Sequence, residues 1–543
     1  MASQRAADGL TWLLTVEADT VRRWRSRDCT VTVGGAVVAA RAGLKTDSVN
    51  ERLESSASSA TIGLELDDDL PAVVAALSSG SVSLAIVPIY SCIAANEDGI
   101  VVSRGRISDV EVDAETGDVS IGLRSLELAD PSDLCPAAST VTARTWPLAP
   151  EQAQGARPPV VYGAPGSYEY QEVTDIDLLP VYDFTDPAWW TAINWQPYRW
   201  LRTVGATPAI AADVEEISIT IPVDGGTFTL TVRTYPRYLL VAQHAVDATS
   251  CTVWTRSDEL GLISTTADLI TSTDGLGRTV TLADLSAKDY VWRRSGEWWI
   301  GWTEGAATSS DLSDVLRAML SRAEVPVDWG ACQAALDAVR GLQIGGYVDD
   351  STSVVEWIRS HLASYGVIPI WTARGLGLRL TWSHPDAPPI ARLVVGAGCT
   401  RAAPYRVAPG DLDEVAVRWA PARTIERTVE SVIRRLGVEV VARDAIEARE
   451  CWDESTAAHI GRVALWQHGR TETTGVSLDA ARWWWLRPGD VVELSDAAMG
   501  LVAGPSSRWI VSSAEHTDRP RRTIELRRLN VDRFEAVRAQ DSA

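Results

Sequence analysis

Short runs in which apolar and polar residues alternate dominate the first part of the chain. Thr30–Val33, Ala60–Leu66, Val82–Val87 and Val119–Leu123 each place every second residue on one face, the spacing of a half-buried β-strand. Turn formers at Asn96–Gly99 and Glu115–Gly117 separate them, so residues 1–130 read as a first β-barrel-like module. The texture then changes. Pro131 to Pro208 is rich in Pro, Gly and Trp, including Trp189, Trp190, Trp195 and Trp200, and alternation returns in Ile217–Ile221, Thr227–Val232 and Tyr238–Val241 before Trp298–Trp302. Residues 131–305 therefore read as a Pro/Trp-rich connector with a β insertion.

Helical spacing first becomes clear after Ser309. Leu312, Val315, Leu316, Met319 and Leu320 share one helical face, with Ser309 or Ser310 placed to cap it. Ser353–Glu356 is a capping box, and the helix it opens carries Trp357, Ile358, Leu362 and Tyr365 to a stop at Gly366. Val367–Trp371 and Leu376–Trp382 flank Ala373–Gly375 as a hairpin. Residues 306–410 thus form an α+β middle domain. In 411–543 a strand at Val415–Trp419 and a helix from Ser455 to Gln467 precede β structure through Arg482–Leu494 and Ile524–Leu529, a second β-barrel-like module. The expected fold class is α+β, mainly β.

The two end regions contain a repeat. Arg106–Glu111 and Ile121–Leu126 superpose without a gap on Trp509–Ala514 and Ile524–Leu529, placing Ile107 on Ile510, Ile121 on Ile524, Leu123 on Leu526 and Leu126 on Leu529. An alternating strand lies upstream of each copy, Val82–Val87 in one and Val491–Leu494 in the other. Two copies of one β module near the ends of a chain have a consequence for symmetry. Three such chains present six roughly equivalent units, which seats a three-fold object on a six-fold tube.

Composition narrows the function. A chain of 543 residues is too long for one core, and 46% hydrophobic with 22% charged residues is ordinary for a folded protein. The formal charge of −22 argues against sequence-independent nucleic-acid binding, which depends on Lys and Arg displacing counterions from phosphate. Seven dispersed cysteines without a Cys-x-x-Cys pair read as reduced, buried thiols. No signal-peptide pattern opens the chain and no apolar run is long enough to span a bilayer, so neither secretion by that route nor stable membrane insertion is expected.

Catalytic spacing does not stand out. No two of the six histidines make a His-Glu-x-x-His pair; His361 falls on a helical face, where packing or hydrogen bonding accounts for it, and His459 with His468 lacks local support as a metal site. Asp67–Asp69 and Asp349–Asp350 could be read as carboxylate pairs for glycoside hydrolysis, but each precedes a turn or helix start, where negative charge complements the helix dipole. No cofactor or metal is expected. Tryptophan is in excess, 23 residues against three phenylalanines. Trp189, Trp190, Trp195, Trp200, Trp298, Trp299, Trp483, Trp484 and Trp485 are the candidates for subunit contacts; carbohydrate stacking is the alternative.

Three further phrases carry a resemblance: Ala156–Tyr162 before Gly163, Leu486–Leu494 followed by Gly500 and Trp509–Val511, and Ile344–Tyr347 leading into the Ser353 helix. With the order β module, insertion, α+β middle and second β module, the chain resembles the tail or baseplate hub proteins of bacteriophages and gene transfer agents. The resemblance covers nearly the whole chain and implies a non-enzymatic homotrimer in the virion tail tip, made in the host cytoplasm. Its paired barrels would surround a channel, joining the tail-tube or distal tail protein, the tape-measure protein and tip fibres or receptor-binding proteins, with genomic DNA present only in transit. Some tail-tip proteins bind an iron–sulfur cluster, for which dispersed single cysteines are poorly suited. A carbohydrate-binding or carbohydrate-hydrolysing tail component is the alternative function.

Overall fold

The computed structural model describes residues 7–538 apart from 54–59, 66–72, 76–80, 126–131, 173–198, 289–297, 302–309, 420–428, 530–533 and gaps of at most four residues. The fold is mainly β, with helices gathered in the middle and C-terminal parts of the chain. Strands β1 (Gly9–Glu17), β2 (Leu44–Thr46), β3 (Val49–Arg52), β4 (Ala60–Glu65), β5 (Ser81–Tyr90), β6 (Ile100–Val112) and β7 (Asp118–Ser125) make up most of the first module. All but β3 lie in one sheet, whose central order is β5-β6-β7-β4-β2, with β1 on the other side of β5. The alternation explains the sheet, because Ile62, Leu64, Val82, Leu84, Ile107, Ile121 and Leu123 all turn inward to one core.

The connector contributes a closed barrel. Its six strands fall between Thr207 and Gly301 and close through pairing of Thr207–Ala209 with Trp298–Ile300. Closure therefore occurs in the insertion, whereas the two end modules are open sheets among the described residues.

The middle domain packs helices α1 (Leu312–Leu320), α2 (Trp329–Ala338) and α3 (Val354–Leu362) around a hairpin of β8 (Val367–Thr372) and β9 (Gly375–Leu380). Ser353 caps α3 by accepting from the Glu356 amide at 3.1 Å. The cap of α1 is Asp311, which accepts from the Ser313 amide, in place of the expected Ser309 or Ser310; a carboxylate adjacent to the first turn also complements the helix dipole. Gly375 has φ +130°, and a Cβ there would fall 1.9 Å from the Pro326 carbonyl oxygen, so the tight hairpin requires glycine. This core also draws in Leu134, Cys135, Val160 and Tyr162 from the connector and Val415, Ile433, Ile460 and Leu465 from the C-terminal region.

The second module comprises β10 (Cys399–Ala408), α4 (Glu454–His468), β11 (Thr471–Asp479), α5 (Ala480–Trp483), β12 (Val491–Ser495), β13 (Arg508–His516) and β14 (Arg521–Arg528). Its sheet runs β12-β13-β14-β11-β10, with Ala391–Val394 parallel to β12. That sheet begins at Ala391, ahead of the boundary expected at residue 411, because the first edge strand precedes a long excursion containing α4.

Candidate assembly site: two matching modules and the charged joint between them

The sheets of the two end modules have the same design. Each contains five antiparallel strands in the same chain order and the same spatial order, β5-β6-β7-β4-β2 matching β12-β13-β14-β11-β10. Each breaks its central hairpin with one irregularity, between Ile107 and Asp109 in the first and between Val511 and Ser513 in the second. A bulge bends its strand and adds local twist, so a matched bulge is a matched change of course.

The ladders correct the gapless repeat. Ile107 lies opposite Leu123, and Val511 lies opposite Leu526, so Ile107 corresponds to Val511 and not to Ile510. The cause is the length of the connection between the two strands, residues 113–117 in one copy and the one-residue-shorter 517–520 in the other. A one-residue slip in a strand exchanges its faces. Ile510 accordingly joins Leu529, Trp466 and Trp382 in a separate core, while Val511 shares one with Ile524 and Leu526. Leu126 lies outside the described residues.

With this register, the buried pairs are Leu44 and Cys399, Ile62 and Val476, Leu64 and Leu478, Val82 and Val492, Leu84 and Leu494, Ile107 and Val511, Ile121 and Ile524, and Leu123 and Leu526. Two matched positions differ sharply. Trp509 stands where the first module has Gly105, and Arg522, 2% exposed, stands where it has Val119.

The modules are also stitched together. Strand β3 leaves the first module to pair antiparallel with β13, matching Glu51 to Ala514 and Val49 to His516. Glu51 then lies at the centre of a buried cluster. Arg379 donates to its carboxylate and, at 3.0 Å, to the Arg52 carbonyl. Arg487 donates to both Glu51 oxygens, at 2.7 and 3.2 Å, and His516 Nε2 donates at 2.9 Å. Burial on its own would raise Glu51, yet Arg379, Arg487 and His516 hold it well below the usual carboxylate range.

The turn Arg487–Asp490 positions these groups. Gly489, at φ +93°, brings the backbone so close to Arg379 that a Cβ would sit 3.0 Å from its Cγ. The Asp490 carboxylate accepts from the Arg487 amide at 2.7 Å and fixes the turn. Arg522 completes the joint by donating to the carbonyls of Trp483, Trp484 and Leu486 at 2.7 to 3.0 Å. Burial pulls Arg522 down to about 10.

Two groups here titrate in opposite senses. Burial pushes His516 down to about 4, so on acidification below about 6.5 the unfolded chain takes a proton that the fold refuses. Burial pushes Asp490 up to about 6, against Arg487 and Arg379, so the fold takes a proton there that the unfolded chain, with a usual value of 3.8, does not. The first destabilises and the second stabilises as the pH falls through this window. Replacing Asp490 with Asn removes only the second. The stability of Asp490→Asn relative to the unmodified chain should rise by about 2.4 kcal/mol from pH 4 to pH 7, read from urea unfolding; a constant gap would show that Asp490 titrates normally.

The tryptophans divide. Trp189, Trp190 and Trp195 lie outside the described residues, and Trp200 is placed only by its backbone, opposite Gln171. Trp298 turns into the closed barrel's core, and Trp299, on the opposite face of the strand, is half-buried. Trp484 is 5% exposed and enters the first module's core, with Trp485 packed beside it and Trp483 against the second module's core. The expectation that Trp484 meets another subunit is therefore corrected: it is a rivet within one chain, because Ala480 and Trp484 at the two ends of α5 are both buried in the first module's core.

The three phrases singled out in the sequence are joints as well. Val160–Tyr162 pairs with Gly346–Val348, so two of them form one ribbon, and Gly163 at φ +59° passes under the Ile344 carbonyl where a Cβ would collide at 2.2 Å. The third supplies Arg487 and Asp490.

The other candidates for chemistry are satisfied locally. His361 bonds the Trp357 carbonyl and lies 3.3 Å from Glu450, and His459 bonds the Tyr365 carbonyl. Asp67–Asp69 lie outside the described residues. Among the described residues no three His, Cys, Asp or Glu side chains gather as metal ligands, and six cysteines are buried free thiols.

No family model matches this sequence, and no curated protein matches it. Among solved structures, the chain is similar to one described as the virion of a native gene transfer agent particle, with a TM-score of 0.38 and 12% identity over 59% of this chain and 83% of that one. It is also similar to a chain in a topological model of the p2 virion baseplate in activated conformation, with a TM-score of 0.18 and 9% identity over 74% and 98% of the two chains. Both superpositions are too loose to assign a fold or a role.

Proposed function

We propose that this chain is a structural hub of a phage-type tail tip or baseplate, acting by geometry and not by catalysis. The observation that carries the reading is the duplication: two sheets of the same five-strand design, bulged at the same place and locked together within one chain. Three copies would arrange six such units around a channel, which adapts a hexameric tube to a trimeric tip. The hub-like order of parts along the sequence supports the same assignment. In this reading the partners are the tail-tube or distal tail protein, the tape-measure protein and the tip fibres or receptor-binding proteins. DNA only passes through, and the net charge of −22 suits a passage to which DNA does not adhere.

A joint rigid enough to fix the angle between modules is what such a ring requires, and the Glu51 cluster with Trp484 supplies the contacts for it. Native mass measurement with negative-stain imaging tests the proposal. The expected result is a trimer with a central opening. A stable monomer that binds glycans and forms no ring would overturn it in favour of a carbohydrate-directed tail component.

A further inference from the structure

The matched registers show one strand-docking edge that is filled and a counterpart that, among the described residues, forms no ladder. In the second module, the part of β13 beyond the bulge, Ser513–His516, takes β3 as an antiparallel neighbour. The Leu53 amide donates to the Ser512 carbonyl at 2.7 Å, so Ser512, Ala514 and His516 turn their backbone groups toward β3. Their counterparts in the first module are Ser108, Val110 and Val112 of β6. The segments themselves agree, Ser108 with Ser512 and Glu111 with Glu515.

Yet among the described residues β6 beyond its bulge pairs only with β7, because its ladder with β5 ends where Gly105 meets Val82. β8 approaches β6 but forms its ladder with β9. Among the described residues no strand forms a ladder with the free side of Asp109–Val112. Asp109, Glu111 and Val112 are exposed, Val112 at 45%. An open edge carrying an exposed β-branched residue is a template for another strand.

We propose that this edge of β6 is filled by an extended segment from a second copy of this chain. The occupant follows from the filled edge. The docking strand seen here, β3, comes from the module before the one it joins and lies between β2 and β4 of that module. For the first module, the preceding module is the second module of a neighbouring copy. The corresponding stretch there lies between β10 and β11, residues 409–470, and includes the exposed edge strand Arg443–Ala448. This rests on the ring of modules proposed above and specifies how its copies are joined: every module passes one strand to the next, within the chain at one step and between chains at the other.

Val112→Pro tests it. By the matched register the Val112 amide points away from β7, so proline removes the docking donor and spares the β6–β7 ladder. Val112→Thr keeps that donor and serves as control. The full chain would be followed by native mass measurement and amide hydrogen exchange. The expected result is protection of the Val110 and Val112 amides on assembly, loss of assembly in Val112→Pro with an unchanged urea midpoint, and normal assembly in Val112→Thr. A trimer whose Val110 and Val112 amides exchange freely, or that forms equally well with Val112→Pro, overturns the strand docking and leaves the hub standing. A chain that stays monomeric overturns both.

Discussion

Replacing Glu51 with Ala should destabilise the protein by about 3–5 kcal/mol, the largest effect of any single change at the joint between modules. The size follows from what remains. Arg379 and Arg487 both direct guanidinium groups at this carboxylate, and Arg379 is 6% exposed, so the variant leaves two cations facing each other without their anion. Glu51→Gln should be nearly as harmful, since an amide accepts hydrogen bonds but supplies no charge. Urea unfolding gives the magnitude, and hydrogen exchange along β13 shows where it acts: protection should fall first at Ala514 and His516, which β3 covers. Loss below 1 kcal/mol would mean that the cluster is solvated and does not hold the modules.

The second large effect is expected at Arg522. Arg522→Ala should cost about 4 kcal/mol, because three buried carbonyls lose their donor and a cavity opens beneath them. The decisive comparison is Arg522→Val, which installs the residue that the first module carries at this position. If Arg522 merely filled space, valine would be tolerated; the carbonyls of Trp483, Trp484 and Leu486 predict that it will be nearly as damaging as alanine. Near-ultraviolet circular dichroism should change in both variants, since these carbonyls hold the turn that places Trp484 in the first module's core.

Much of the fold was legible in the sequence because strands with one buried face declare themselves by alternation. Ala60–Glu65, Asp118–Ser125 and Arg521–Arg528 lie where the alternation places them, and the capping box at Ser353 opens α3. The equivalence of Ile121 with Ile524 and Leu123 with Leu526 was visible for the same reason. Ile107 was matched one residue out because the difference lies in the connection between the two strands, where hydrophobic pattern carries no register. Arg522 was detectable in principle: it falls in phase with Ile524 and Leu526, so an arginine occupies an inward position. Glu51 was not. Its strand is four residues long, and its partners lie in hairpins hundreds of residues away, at separations of 328 to 465 positions.

That separation governs how the chain can be made. Glu51 of strand β3 is made 465 residues before His516 of the strand it pairs with. The first module can complete β4 to β7 on its own, while Glu51 waits in water for Arg379, Arg487 and His516 to be synthesised. The joint thus closes only after β13 has been made, and contacts of such long range form slowly. Translation order therefore acts as a timer: the two modules can set their mutual angle only when the β13–β14 hairpin has been released.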